Sequence, residues 1–380
     1  MTDRSDFAEL LAQPGPWTSA YIDGPGDQPT GTEESRQRSV RERLREAGAP
    51  EADVEAMADV LGASTGVPSP SARCVLVRAG RVEVDESFAD ARRGPERFHH
   101  GPIPEVLPLL RHRETELAYL VVEAGREGAE IRLERAGRRA PEEEIEVEGD
   151  TGRLAKVKAG NMSQARLQRR AENVWMHNMA EVADAVDRLV RDHRPSFVVL
   201  AGDIRARQLL RERLAPASSE LVVDVDAHTR APGADDDALE ETIAASVNSR
   251  LQERISEAED RAAADGGSRG ARGTTAVLAA LQQAQVDELL LDAKLLDSGE
   301  ELEALDAPPW LADGSGFAGE ATSLGAVPAA EALARAALVT GASVLVVEED
   351  EPDPGEERDE RPPREPVAVL RWPKDESAPA

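Results

Sequence analysis

Apolar residues along this chain recur at two spacings, and the switches between them predict alternating strands and helices. Phe7 to Leu11 is a short helical stretch ended by a Pro-Gly-Pro turn, and Trp17-Thr18-Ser19-Ala20-Tyr21-Ile22-Asp23 has the aromatic and β-branched content of a strand. Glu33 to Ala47 has opposite charges three and four residues apart, which predicts an exposed helix, and Val54 to Leu61 predicts a second. Cys74 to Arg78 and Val82 to Asp85 predict a hairpin turning at Ala79-Gly80-Arg81. Pro102 to Leu110 then docks through Val106, Leu107 and Leu110.

The pattern restarts near Glu114. Leu117 to Glu123, Glu130 to Arg135 and Glu142 to Glu148 predict three strands, and a long helix follows to about Asp192. Its stripe of Trp175, Met179, Val182, Val186, Leu189 and Val190 has the 3.6-residue period of a buried face. Strand Phe197 to Ala201, helix Ile204 to Leu214 and strand Leu221 to Val225 form a βαβ unit, so part of this sheet is expected to be parallel. Ala238 to Ala264 predicts one long acidic helix, and Gly266 to Gly273 (GGSRGARG) a linker. Beyond it come helix Thr274 to Gln283, strand Leu289 to Asp292, helix Ala329 to Val339 stopped by Gly341, strand Ser343 to Val347 and strand Val367 to Trp372. The expected organisation is three domains of mixed α/β class: an α+β domain over 1–113, an α/β domain over 114–265 and an α/β domain over 266–380. The middle one contains a basic loop at 151–171, the last an acidic, Pro-rich loop at 348–366.

Charge narrows the function. The 380 residues include 74 Asp and Glu against 45 Lys and Arg, a formal charge of -29, which argues against non-specific DNA binding because phosphates would repel the chain at long range. A single cysteine, Cys74, excludes a disulfide scaffold and a multi-cysteine zinc site. No apolar run reaches the roughly 18 residues that span a bilayer, and MTDRSDF lacks a secretory pattern, so a soluble, cytoplasmic protein is expected, with no membrane partner. No G-x-S-x-G, H-E-x-x-H, phosphate-loop or dinucleotide fingerprint is present, and no cofactor or metal is expected.

Against that acidic background, Thr151 to Ala171 holds Arg153, Lys156, Lys158, Arg166, Arg169 and Arg170 with no Asp or Glu, interleaved with Gly160, Asn161, Ser163 and Gln164. Such a block suits a loop facing nucleic acid; the competing reading is a solvated helix start whose arginines pair with carboxylates elsewhere. His99, His100 and His112 are expected at the surface, His177 partly buried beside Trp175, and Asp203 as a helix N-cap.

Three segments in order resemble the archaeo-eukaryotic peptide chain release factors and Pelota, in particular their bacterial branch. Phe197-Val198-Val199-Leu200-Ala201-Gly202 is similar to the family's "VLAG" strand, and Leu221 to Val225 to the strand after it. Thr274 to Asp292 resembles its third-domain helix and strand. Thr340 to Val344 with Val367 to Trp372 resembles its terminal pair of strands. The resemblance runs over about residues 115 to 372. It implies a ribosome-binding translation factor whose partners are rRNA in the A site, tRNA and a translational GTPase. Release factors carry a Gly-Gly-Gln tip whose glutamine positions water at the peptidyl-tRNA ester. Here the corresponding stretch is Gly160-Asn161-Met162-Ser163-Gln164, with Met162 and Ser163 in place of both glycines. The Asn-Ile-Lys-Ser decoding motif is absent as well.

The resemblance therefore implies a stress or hibernation factor that occupies the A site without chemistry, holding rRNA or tRNA through Arg153, Lys156, Lys158, Asn161, Arg166, Arg169 and Arg170. The alternative is a ribosome-rescue peptidyl-tRNA hydrolase with Gln164 catalytic. A second alternative is a non-ribosomal protein-interaction scaffold.

Overall fold

The computed structural model describes residues 4–13, 15–24, 30–61, 63, 65, 67, 69–113, 117–125, 127–137, 141–148, 164–225, 236–314, 319–348 and 362–374. It is a mixed α/β protein with two compact units. One comprises Met1–Glu114 together with Glu253–Ala380, the other Thr115–Gln252.

The first segment contains α1 (Arg4–Ala12), β1 (Trp17–Asp23), α2 (Thr30–Glu46), α3 (Glu51–Leu61), β2 (Ala72–Arg78), β3 (Arg81–Phe88), β4 (Arg97–Gly101) and α4 (Leu107–Arg113). The strands form an antiparallel sheet in the order β3-β2-β1-β4. β1 and β2 read as nearly continuous buried runs because both faces of the sheet are covered. Ala20, Ile22, Val75 and Val77 pack on Val40 and Leu44 of α2 and on Val54 and Met57 of α3. Thr18 sits on that face because its Oγ1 donates to Asp53 Oδ2 (2.7 Å), while Asp53 Oδ1 accepts from Gly80 N (2.6 Å) and so holds the hairpin turn against α3. The opposite face, with Trp17, Tyr21, Cys74 and Leu76, shares one continuous core with α1, α4 and the C-terminal segment.

Three histidines depart from expectation. His112 is buried: its ring stacks on Phe88 at 4.2 Å, Nε2 meets Tyr21 Oη (2.7 Å) and Nδ1 meets Asp90 Oδ1 (3.0 Å). The basic neighbours Arg111 and Arg113 disguise it, but α4 turns position 112 onto the same inward face as Pro108 and Leu109. His99 and His100 are half-buried on β4, not free at the surface, and His100 Nδ1 reaches Thr18 Oγ1 (2.9 Å).

The second unit contains β5 (Ala118–Gly125), β6 (Gly128–Arg135), β7 (Glu143–Glu148), α5 (Gln164–His193), β8 (Val198–Gly202), α6 (Ile204–Arg211), α7 (Pro216–Ser219), β9 (Val222–Asp224) and the first half of α8 (Asp236–Gly267). Its mixed sheet runs β7-β6-β5-β8-β9, with β5, β8 and β9 parallel as the βαβ pattern requires. Met179, Val182, Val186 and Leu189 of α5 and Leu209 and Leu210 of α6 pack on one face. Leu239 of α8 packs on the other, with Tyr119, Val121, Phe197 and Val199. His177 corrects the sequence reading: its side chain is 69% exposed and pairs with Glu181 (3.7 Å), since two residues past Trp175 is the far side of the helix from the stripe.

The C-terminal segment adds β10 (Gly270–Arg272), α9 (Thr274–Gln282), β11 (Val286–Asp292), a 3₁₀ turn at Ala293–Asp297, β12 (Glu301–Leu305), β13 (Leu311–Ala312), β14 (Ser323–Pro328), α10 (Ala329–Val339), β15 (Ser343–Val347) and β16 (Val367–Leu370). Two sheets result, β10-β16-β11-β15 with β11 and β15 parallel, and a small antiparallel β13-β12-β14 that the sequence pattern does not announce. Gly266 to Gly273 is not a linker. The chain turns out of α8 at Asp265 and Gly266 (φ 53° and 69°), and Gly270 to Arg272 then pair with β16. Glycine is required at 270 because a Cβ there would overlap the carbonyl of Ala262 in α8. Gly270→Ala is therefore expected to destabilise this unit by about 1–3 kcal/mol in urea denaturation, the usual cost of forcing extra volume into a packed contact. An unchanged midpoint would mean that the α8 turn relaxes freely.

Candidate nucleic-acid interface

Sequence and topology together set out the candidate site. β7 is the edge strand of the second unit's sheet, and the chain passes from Glu148 through residues 149–163 into α5. Arg153, Lys156, Lys158 and Asn161 lie outside the described residues. Gln164 is the first residue of α5, and Arg166, Arg169 and Arg170 follow within its first two turns. The helix has 30 residues, about 45 Å at 1.5 Å per residue. Among the described side chains, its packing on the sheet begins at Trp175 and Met176 and extends to Val190. The far end is pinned as well, since Asp187 accepts from Ala215 N at the start of α7 (3.2 and 3.1 Å).

The sequence around these arginines differs from that around the arginines of the sheet. Arg132 of β6 is held by Glu123 (2.6 Å), Glu130 (2.7 Å) and Glu134 (2.8 Å), and Tyr119 Oη donates to Glu134 (3.0 Å). Burial works to lower the pKa of Arg132, but the hydrogen bonds from these three carboxylates outweigh it and hold the guanidinium more firmly charged than usual. Burial first, and then the charge of Glu134, pushes the Tyr119 hydroxyl up. The start of α5 is built differently. Its first turn has no acidic residue and carries Arg166 where the helix macrodipole is already positive, with Arg169 and Arg170 in the second turn. That arrangement costs the helix stability, by about 0.3–1 kcal/mol per misplaced charge, so it is no stability device. Unpaired amides at a helix start, together with guanidinium forks that match phosphate oxygens, are what an anionic backbone requires.

Elsewhere on this unit the acids are spent on structure. Asp203 is the N-cap of α6, accepting from Arg205 N (2.9 Å) and Ala206 N (3.2 Å), as its place after Gly202 implies. Gly202 (φ 103°) allows the turn beneath the carbonyl of Ala124. Among the described residues no group of His, Cys, Asp and Glu is arranged to hold a metal ion, and no helix is long and apolar enough to cross a membrane.

The chain is similar to known proteins over this unit and beyond it. Residues 118–268 match the family model of bacterial archaeo-eukaryotic release factor family 2. Two Mycobacterium tuberculosis proteins, from strains CDC 1551 / Oshkosh and H37Rv, are 24% identical over 291 residues, which is 74% of this chain and 76% of each relative. Among solved structures, S. cerevisiae Dom34, a translation termination-like factor that interacts with Hbs1, is 12% identical over 80% of both chains with a TM-score of 0.40. Archaeoglobus fulgidus Pelota is 13% identical over 80% of both chains, TM-score 0.32. The archaeal translation termination factor aRF1 is 17% identical over 96% of both, TM-score 0.25.

Proposed function

From the match of residues 118–268 to the family model of bacterial archaeo-eukaryotic release factor family 2, we propose that this protein is a cytoplasmic ribosome-binding factor of stress or hibernation. It occupies the A site and performs no chemistry there. The observation that carries this reading is the acid-free basic block of Arg153 to Arg170 leading onto α5, in a unit that lacks the Gly-Gly-Gln tip. The arginines grip rRNA or tRNA phosphates, and the affinity falls as salt rises because counterions are released on binding. A translational GTPase is the second partner of this reading. Co-sedimentation with vacant ribosomes, and with ribosomes carrying labelled peptidyl-tRNA in the P site, tests it. Binding to vacant particles with no released peptide is expected; no binding to either overturns it.

The position of Gln164 at the first residue of the long helix favours one other reading, a peptidyl-tRNA hydrolase of ribosome rescue. On that reading the wild type releases peptide, and Gln164→Ala lowers the release rate by about 100-fold or more while leaving sedimentation unchanged. On the hibernation reading neither protein releases peptide. Release by the wild type that survives Gln164→Ala would remove Gln164 from catalysis altogether.

A further inference from the structure

The two faces of α5 differ in chemistry. One is the apolar stripe, where Met179 and Val182 are buried against the sheet. His177 stands on the other, two residues from Trp175 and from Met179 and so on the opposite side of the helix from both. Its side chain is 69% exposed, and its Nε2 lies 3.7 Å from Glu181, one turn on. An exposed pair at that distance holds the ring only weakly. At 3.6 residues per turn, the positions two and three turns before His177 on its face are 170 and 166, both arginine, and the position one turn before is Asn173. Arg166, Arg170, Asn173 and His177 thus occupy one row, about 16 Å long at 1.5 Å per residue, with no carboxylate in it. Beyond His177 the row changes sign, since Glu181 and Asp184 are both exposed on this face. His177 also stands where α5 is already seated on the sheet through Trp175 and Met176.

We propose that His177 is a further contact to the RNA backbone and marks the far end of the interface, which runs along α5 from Arg166 to His177 and stops at Glu181. This rests on the reading of the α5 arginines as a phosphate-binding face. An imidazole N–H can donate to a phosphate oxygen whether or not the ring is charged. Releasing Glu181 costs little, because that pair is open to water. The carboxylates of Glu181 and Asp184 repel any phosphate placed further along, and so limit how far the RNA follows the helix.

Filter binding of the full chain to vacant ribosomes across a salt series tests this, with thermal melting of each variant alongside. His177→Glu should weaken binding about tenfold, the loss of one hydrogen bond to a charged group with a repelling charge in its place. His177→Arg should bind at least as tightly as wild type and steepen the slope of log affinity against log salt by up to about 0.9, as one fully charged phosphate contact is added. That variant decides the matter if His177→Glu melts early. Arg191→Glu, in the last turn of α5 and beyond both carboxylates, should stay within about twofold of wild type, because it lies more than a Debye length from His177. Joint reversal of Arg166, Arg169 and Arg170 to glutamate reads the underlying face in the same assay. If that reversal weakens binding while His177→Glu behaves like Arg191→Glu and His177→Arg keeps the wild-type slope, the interface ends before His177 and this inference falls with the arginine face intact. If the reversal leaves binding unchanged, the arginine face falls and His177 with it.

Discussion

Reversing Arg166, Arg169 and Arg170 to glutamate should cut ribosome affinity by about a thousandfold while leaving the fold at least as stable. Three charge-assisted phosphate contacts at roughly 1.5 kcal/mol each come to more than 4 kcal/mol, or about three decades in affinity. The salt dependence should flatten with it, the slope of log affinity against log salt falling by about 2 as three phosphate contacts disappear. The stability control runs the other way. A glutamate at 166, in the first turn of α5, complements the macrodipole that the arginine opposes, so thermal melting should hold or rise slightly. Filter binding across a salt series and melting of the same preparations check both halves. Unchanged affinity and slope would mean that the arginines face carboxylates rather than phosphates, and the proposal of an RNA-binding face would fall.

The second large effect is expected at Arg335. This guanidinium is 2% exposed, with no carboxylate in bonding distance among its described contacts. Its Nε donates to Leu11 O (3.0 Å) at the end of α1, its Nη1 to Leu305 O (3.0 Å) in β12, and its plane lies 5.2 Å from the Trp310 ring. Burial pulls its pKa down to about 10, which still leaves it charged at neutrality. Arg335→Met keeps much of the apolar stem but withdraws the donors from two buried carbonyls, at a cost of about 2–5 kcal/mol. Urea denaturation should show the whole unit of Met1–Glu114 and Glu253–Ala380 losing stability together. A midpoint within error of wild type would show that the carbonyls find other donors.

How much of this was open to reading from the sequence can be followed residue by residue. The stripe of α5 identifies itself because that helix buries one side-chain period against a single layer, and β1 identifies itself by its aromatic and β-branched content although both its faces are covered. The parallel arrangement of β5, β8 and β9 follows from the intervening helices. β4 is hidden because all of Arg97 to Gly101 is half-buried, with no alternation to detect. The small sheet of β12, β13 and β14 is hidden because its strands are short and rich in Ala, Leu and Gly.

The role of two charges on α10 is not legible from their spacing. Glu331 and Arg335 stand four residues apart, the spacing of an exposed ion pair, yet both are buried and each bonds main chain of the N-terminal segment. The clue is in the rest of the helix, AAEALARAALV, which is apolar all round and so must be covered on every side. The candidate site was visible as a charge anomaly. The fold fixes where Gln164, Arg166, Arg169 and Arg170 stand along α5.

The shared core also governs the order in which the chain can fold as it is made. Residues 115–252 are contiguous and can close on themselves as soon as they emerge. The N-terminal segment cannot, because the core that Trp17, Tyr21, Cys74 and Leu76 share with α1 and α4 is completed by residues synthesised last. Leu11 waits 324 residues for Arg335, and Val106 waits 225 for Glu331. Throughout that interval the apolar surface of α1 and α4 that α10 comes to cover stays open to chaperones and to other nascent chains, and a product truncated before α10 would keep it exposed for good.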